Sequence, residues 1–214
     1  MAMFRVIVAT NPADDPATKM LSFWHKQVVT LAKEQKDIKV FELTREKTNK
    51  QNLTELIEKN NPHLVILNGH GSNDSVFGFS QNILIRCGEN EILLKEKIIH
   101  ALSCNSGKEL GPQCVKVGAK AFIGYKEEFK MMYLKENDND EFAKLFLGPA
   151  FEVVFSLIRG FSVQKAFNNS QRKYLENLKL VIMENKPVFN VAVAPLLYHD
   201  LIHQVCLGDG SASF

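Results

Sequence analysis

The sequence predicts an α/β fold in which a mostly parallel central sheet carries helices on both faces. Two observations lead to this class. Short apolar runs rich in β-branched residues alternate with segments of helical apolar spacing, and turn-forming residues separate the two kinds of segment. Such alternation is typical of crossover connections between parallel strands. With 214 residues, the chain is expected to form a single domain spanning 1–214.

The first half of the chain supplies three strands and two helices. Residues 4–10 (FRVIVAT) are rich in β-branched residues and are followed by Asn11 and Pro12, which favours a buried strand ending in a loop. From Ala17 onward, apolar residues recur at three- and four-residue steps, which predicts a helix with one buried face. The same reasoning gives a second strand at 38–43, a short helix around 53–57 and a third strand at 63–69.

The second half continues the alternation and adds irregular segments. Residues 82–95 contain two short β-like runs around Gly88, which predicts a hairpin at the sheet edge. Residues 134–141 are polar and acidic and predict a loop, and Gly148 and Pro149 are expected to kink or split a helix. The other predicted elements are strands at 98–104, 121–125 and 187–195, and helices at 107–117, 141–159 and 162–184.

Composition and charge narrow the classes of function. Twenty-six basic and twenty-four acidic residues give a formal charge of +2, which is too balanced to predict binding to nucleic acid or to a membrane surface. The apolar runs are too short for a signal-peptide core or a bilayer span, so a cytoplasmic location is expected. The spacing of the four cysteines matches neither a metal knuckle nor a dense disulfide framework, which predicts reduced thiols.

Two predicted strands each end in a reactive side chain among small residues. His70 follows the third strand in LVILNGHGS, and Cys104 follows the fourth in IIHALSCNSG. Chemistry in such folds is expected at the carboxyl ends of parallel strands, so neighbouring strands would place the two side chains together. An imidazole can take the proton of a thiol nucleophile, and the amides of Gly71 and Cys104 could bind a developing oxyanion. The sequence therefore predicts a Cys–His dyad.

These residues also resemble a known family. The strand-terminal His-Gly at 70–71, the SCNSG at 103–107 and the GAKAFIGY at 118–125 resemble the caspase-like cysteine peptidases of clan CD, especially the CHAT, clostripain and gingipain-type branches. The resemblance covers most of the chain and implies a caspase-like three-layer sandwich with a small β-hairpin. It implies Cys104 as nucleophile, His70 as catalytic histidine and hydrolysis of peptide or protein substrates through a thioester acyl-enzyme, without metal or organic cofactor. The caspase sequence QACxG is absent, so aspartate specificity is not expected.

The residue before the scissile bond is a further prediction. Relatives with basic specificity hold the substrate's Arg or Lys with an acidic side chain near the carboxyl edge of the sheet. Candidates for this role follow strand one and strand five, and they are Asp14, Asp15, Glu127 and Glu128. The alternative for all four carboxylates is that they are solvated loop charges.

Two alternatives compete with a cysteine peptidase. A catalytically inactive binding module could keep the same fold and the same residues. The sequence HDLIH places His199 and His203 four residues apart, as in a zinc-hydrolase helix, although Asp200 stands where that motif has glutamate and a third ligand is not evident. Cys87, Cys114 and Cys206 lack a histidine in an equivalent context and are predicted to be packing residues.

Overall fold

The protein is described by a computed structural model that covers residues 4–135, 137, 140–183 and 187–214. Eight strands and six α-helices are assigned within these residues. The strands are β1 (Arg5–Asn11), β2 (Ile38–Thr44), β3 (Leu64–Asn68), β4 (Ser75–Phe77), β5 (Ile83–Arg86), β6 (Ile98–Leu102), β7 (Ala121–Tyr125) and β8 (Gln204–Gly208). The helices are α1 (Pro16–Glu34), α2 (Lys50–Asn60), α3 (Leu110–Lys116), α4 (Glu141–Ile158), α5 (Val163–Met183) and α6 (Pro187–His203).

The central sheet confirms the predicted α/β architecture. Its six strands are ordered β2-β1-β3-β6-β7-β8, and every pair is parallel except β7 and β8. Strands β3, β6 and β7 are buried along their whole length, as apolar strands covered on both faces must be. Strands β4 and β5 form a separate antiparallel hairpin.

Helices cover both faces of the sheet and make three layers. The apolar faces of α1 and α4 pack on one side, and those of α2 and α3 pack on the other together with the β4–β5 hairpin. Helix α6 does not contribute to either of these layers but packs against α4 and α5 through Phe146, Tyr174 and Leu197. Among the described helices, none has both the length and the apolar character needed to cross a bilayer.

The hairpin predicted at 82–95 is wrong in position. Strand β5 lies in this range, but it pairs with β4, which precedes it, and Glu91–Leu94 forms a 3-10 turn instead of a strand. The Asn90 side chain stabilises this turn, because it accepts a hydrogen bond from the Arg86 amide and donates one to the Leu84 carbonyl. Strand β4 lies in a stretch rich in Gly, Ser and Asn, a composition that does not favour strands.

The strand predicted at 187–195 is also wrong, because this range belongs to helix α6. Val193, Leu197 and Leu201 are buried at a four-residue spacing, which is a helical period that the alternation in VFNVAVAP obscured. The last strand of the sheet is β8, which follows the helix. Helix α4 continues through Gly148 and Pro149 without the predicted break.

The acidic loop predicted at 134–141 is described only in part, because residues 136, 138 and 139 lie outside the described residues. Asp140 is the N-cap of α4 and accepts a hydrogen bond of 2.8 Å from the Ala143 amide. Its second carboxylate oxygen accepts hydrogen bonds of 2.7 Å from the amides of Leu134 and Lys135. Asp140 therefore fixes the start of α4 to the residues just before it.

Candidate active site

The register of two neighbouring strands brings the predicted dyad to one edge of the sheet. Strands β3 and β6 are parallel, and Asn68 pairs with Leu102 at their carboxyl ends. His70 and Cys104 each follow two residues later, so they leave the sheet at the same level. The Gly71 backbone lies against Cys104, since a Cβ added at Gly71 would stand 2.4 Å from the Cys104 carbonyl oxygen and 3.1 Å from its amide nitrogen.

His70 and Cys104 also line the same cavity. This cavity measures about 110 Å³ and lies between the two strand ends, the start of α1 and the segment that follows β7. Apart from the dyad, most of its wall is apolar. The apolar wall residues are Ala17, Leu21, Leu102, Phe129 and Met131.

The His70 ring has a carboxylate partner. Its Nε2 lies 2.5 Å from Oδ2 of Asp15, and the two side chains are 40% and 34% exposed. Asp15 is the N-cap of α1, where its Oδ1 accepts a 3.0 Å hydrogen bond from the Thr18 amide. One oxygen of Asp15 thus caps the helix while the other holds the imidazole. With Nε2 donating to Asp15, Nδ1 carries the lone pair that exchanges protons.

Asp15 is charged at neutral pH. Partial burial acts to raise its pKa, but the hydrogen bonds from the Thr18 amide and the His70 ring outweigh burial and hold the pKa below its ordinary value. Asp15 was predicted to contact substrate, and the structure places it on the catalytic histidine candidate instead.

Cys104 lies in a tight turn that is fixed by its neighbours. Asn105 adopts a positive φ of 60°, and its amide donates a 3.1 Å hydrogen bond to the Glu127 carbonyl. Ser103 and Ser106, on either side of this turn, join their hydroxyls at 2.8 Å. These contacts connect the nucleophile candidate to the segment that follows β7.

The Cys104 thiol is half-buried, and burial raises its pKa. The Phe129 amide and the Lys130 charge act in the opposite direction and lower it. The charges of Glu128 and Asp200 add to the increase. The net result is a thiol that holds its proton at neutral pH, so it needs a base when a substrate binds.

The amides predicted to bind an oxyanion lie beside each other. Gly71 forms an isolated antiparallel bridge with Val76. The hydrogen bonds of this bridge run from the Phe77 amide to the His70 carbonyl and from the Ser72 amide to the Ser75 carbonyl. The Gly71 amide takes part in neither bond, and the Gly71 backbone lies against the amide and carbonyl of Cys104. Both amides stay candidate oxyanion donors.

The HDLIH residues hold the segment after β7 in place. Asp200 accepts a 2.9 Å hydrogen bond from the Lys130 amide, and His199 donates one of 3.0 Å to the Glu128 carbonyl. Asp200 is fully buried, and burial raises its pKa to about 8. In the sequence this motif suggested only an alternative zinc site, and nothing in it indicated a contact with the segment that contributes Phe129 to the cavity.

The geometry does not support the zinc alternative within the described part of the chain. The rings of His199 and His203 do share one face of α6, with centroids 4.2 Å apart. However, the described residues contain no group of three or more His, Cys, Asp or Glu side chains arranged to hold a metal ion.

The other carboxylates predicted to contact substrate have partners of their own. Asp14 accepts hydrogen bonds from the Ser80 amide at 2.6 Å and from the Thr18 hydroxyl at 3.1 Å. Glu127 lies 3.5 Å from Lys108, and Glu128 pairs with Lys130. None of the four carboxylates is among the described residues that line the cavity.

Comparison with known proteins identifies the fold. No protein-family model matches the sequence, and no curated protein matches it significantly. The complex of the Porphyromonas gingivalis RgpB pro- and mature domains is similar in structure, with a TM-score of 0.62 and 10% identity over 97% of this chain and 47% of that one. The Arg specific cysteine proteinase gingipain R has a TM-score of 0.58 and 12% identity over 98% of this chain and 46% of that one.

The chain thus spans less than half the length of these two solved chains. The match nevertheless includes nearly all of its own residues, and it agrees with the six-stranded, mostly parallel sheet between two helical layers. The protein has the caspase-like fold of the gingipain cysteine proteinases.

Proposed function

We propose that the protein is a cysteine endopeptidase in which Cys104 and His70 form the catalytic dyad. The observation that carries this proposal is that both side chains line one cavity at the carboxyl ends of two adjacent parallel strands. Their order in the chain, the caspase-like fold and the carboxylate partner of His70 all support it. The substrate is a protein or peptide.

The reaction follows from the positions of these groups. His70 takes the thiol proton as the sulfur of Cys104 attacks the scissile carbonyl, and the amides of Gly71 and Cys104 donate to the oxyanion. The carbon–nitrogen bond then breaks, and the departing amine leaves with the proton held by His70, which leaves a thioester on Cys104. Water, deprotonated by His70, hydrolyses the thioester, releases the carboxylic acid and restores the thiol.

Asp15 supports this sequence of proton transfers. Its carboxylate holds His70 through Nε2 and stabilises the imidazolium that forms when the thiol is deprotonated. The pKa of the Cys104 thiol is raised by burial, so the proton is transferred during the attack instead of being lost beforehand. Asp15 is a positioning residue, because it acts on the substrate only through His70.

Specificity for a basic residue was predicted through Asp14, Asp15, Glu127 and Glu128. Its support is the Arg specificity of gingipain R, which is similar in structure. The partners of these four carboxylates and the apolar cavity wall favour an apolar side chain instead. A cytoplasmic location and a lack of binding to nucleic acid and membranes stay predictions.

One observation favours a second candidate function, a binding module without peptidase activity. The thiol of Cys104 is half-buried, and burial raises its pKa. A sulfur held in this way could remain unreactive while the cavity binds a peptide.

Turnover of fluorogenic peptides by the wild type and by Cys104→Ala tests the proposal. The alanine variant is expected to keep the circular dichroism spectrum of the wild type and to lose at least about 1,000-fold in kcat/KM, because it lacks the nucleophile. Cys206→Ala is the matched control, since Cys206 is also a partly buried free cysteine. Retained cleavage in Cys104→Ala would refute the assignment, and an inactive, unreactive wild type would favour the binding module.

A further inference from the structure

The cavity beside the dyad has a defined place in the proposed reaction. Cys104 and His70 form part of its wall, so a carbonyl carbon attacked by the sulfur must lie at its mouth. The side chain nearest to that carbonyl belongs to the residue before the scissile bond, and the cavity is the enclosed space within its reach. The inference below rests on the proposed function and specifies its substrate.

The chemistry of the wall is apolar. Ala17 and Leu21 of α1 contribute to it, and so do Phe129 and Met131 of the segment after β7. Leu21 is only 7% exposed and belongs to the hydrophobic core beneath α1, so this part of the wall is shielded from bulk water. A wall of this kind binds a side chain through its removal from water.

None of the four carboxylates predicted to hold a basic residue lines this cavity, and the two at the start of α1 already have hydrogen-bond partners. Asp15 uses one oxygen on the Thr18 amide and the other on His70. Asp14 uses its two oxygens on the Thr18 hydroxyl and the Ser80 amide. A guanidinium or ammonium group in the cavity would lose hydration with no carboxylate among the wall residues to pair with it, which is unfavourable.

The size of the cavity limits the side chain further. Its volume of about 110 Å³ is several times the roughly 30 Å³ that one water molecule occupies in the liquid. This is enough for a branched or linear aliphatic group. From the wall, the engaged carboxylates and this volume, we infer that the protein cleaves after an apolar residue of the size of leucine or methionine, and not after arginine or lysine.

The experiment compares substrates that differ only in this residue. Fluorogenic peptides with Leu, Met, Ala, Arg, Lys, Asn or Asp before the reporter group are incubated with wild type and Cys104→Ala. The expected result is Cys104-dependent cleavage with a kcat/KM for Leu or Met at least about 100-fold above that for Arg or Lys. Intact-mass measurement of Cys104 labelling by peptidyl acyloxymethyl ketones with Leu or Arg gives a second readout of the same preference.

Two variants test whether this cavity sets the preference. Met131→Glu places a carboxylate in a partly exposed part of the wall and is expected to raise the ratio of Arg to Leu cleavage at least about tenfold. Ala17→Leu fills part of the cavity and is expected to shift the preference from Leu to Ala. Gln27→Glu is the control, because it adds the same charge at an exposed position of α1 outside the cavity.

The outcomes separate this inference from the proposed function. Cys104-dependent cleavage that prefers Arg or Lys overturns the apolar specificity and leaves the peptidase intact. Equal preferences in Met131→Glu and in the wild type also overturn it, because the cavity would then not bind the side chain. A lack of both turnover and Cys104 labelling with every peptide overturns the proposed function itself, and the inference with it.

Discussion

Two regions of the molecule bring histidine together with an acidic residue, and they differ in what surrounds the pair. At the carboxyl edge of β3 and β6, His70 bonds to Asp15 and remains 40% exposed at the wall of a cavity. At the end of α6, Asp200 is fully buried, and both it and His199 bond to the main chain of the segment after β7. Adjacency of ionisable groups is therefore not enough for a reactive site, because those groups must also face a space that a substrate can enter.

The largest expected difference between the two regions lies in their histidines. His70→Ala should lower kcat/KM by roughly 10² to 10⁴-fold, because it removes the general acid and base. His199→Ala should lower it by less than about tenfold, since His199 acts only through its bond to the Glu128 carbonyl. Steady-state kinetics on a cleaved peptide measures kcat/KM for both variants. Equal losses would show that the two histidines do not differ in their importance for catalysis.

The next largest loss of activity is expected for a substitution at Gly71, where the ends of β3 and β6 approach each other closely. In Gly71→Ala the new Cβ would stand 2.4 Å from the Cys104 carbonyl oxygen, so the turn that carries the proposed nucleophile must shift. A loss of roughly 10 to 100-fold in kcat follows from this displacement.

Gly148→Ala serves as the control for Gly71→Ala, because its new Cβ would meet its nearest neighbour at an ordinary contact distance of 3.5 Å. Comparison of kcat between these two alanine variants isolates the crowding at Cys104. Full activity in Gly71→Ala would argue against a tightly fixed nucleophile.

The two roles of Asp15 can be separated by substitution. Asn caps a helix about as well as Asp, so Asp15→Asn should keep the melting temperature of the wild type but lose about tenfold in kcat, because the negative charge beside His70 is gone. Asp15→Ala should lose the same activity and also about 1 kcal/mol of stability through the missing cap. Wild-type kcat in Asp15→Asn would show that the carboxylate does not assist His70.

The region around α6 is expected to affect stability instead of chemistry. Burial raises the pKa of Asp200 from 3.8 to about 8, so folding favours the protonated acid. Protonated Asp200 therefore stabilises the fold. This stabilisation is fully present below the ordinary aspartate pKa of 3.8 and is lost as the pH rises through about 8. Asp200→Asn keeps an acceptor for the Lys130 amide and cannot ionise.

Urea unfolding between about pH 5 and pH 9 tests this account of Asp200. The free energy of unfolding of the wild type should fall by a few kcal/mol, to an order of magnitude, over this range. In Asp200→Asn it should fall less, because the Asp200 carboxyl group no longer contributes to the change. Parallel stability curves for the two proteins would show that Asp200 does not titrate as its burial requires.

The strands that carry the dyad could be predicted from sequence for a simple physical reason. A strand buried on both faces needs an uninterrupted apolar run, and the runs before His70 and Cys104 end abruptly in small residues. Local composition therefore indicated both elements and their ends. Parallel pairing of neighbours then placed the two side chains at one edge of the sheet, as the register of Asn68 with Leu102 confirms.

The rest of the site depends on contacts between distant segments. Phe129 and Met131 have no local pattern that predicts a cavity wall, because their position is set by the bond between Lys130 and Asp200, which are separated by 70 residues. The contact between Asp15 and His70 has no local signal either, because the two residues are 55 positions apart in the sequence.

The most direct test is a crystal structure of the protein treated with a peptidyl acyloxymethyl ketone that carries leucine next to the ketone. The account predicts a covalent bond from the Cys104 sulfur, the carbonyl oxygen near the amides of Gly71 and Cys104, and the leucine side chain between Leu21 and Met131. An adduct on another cysteine, or a leucine side chain outside that cavity, would contradict it.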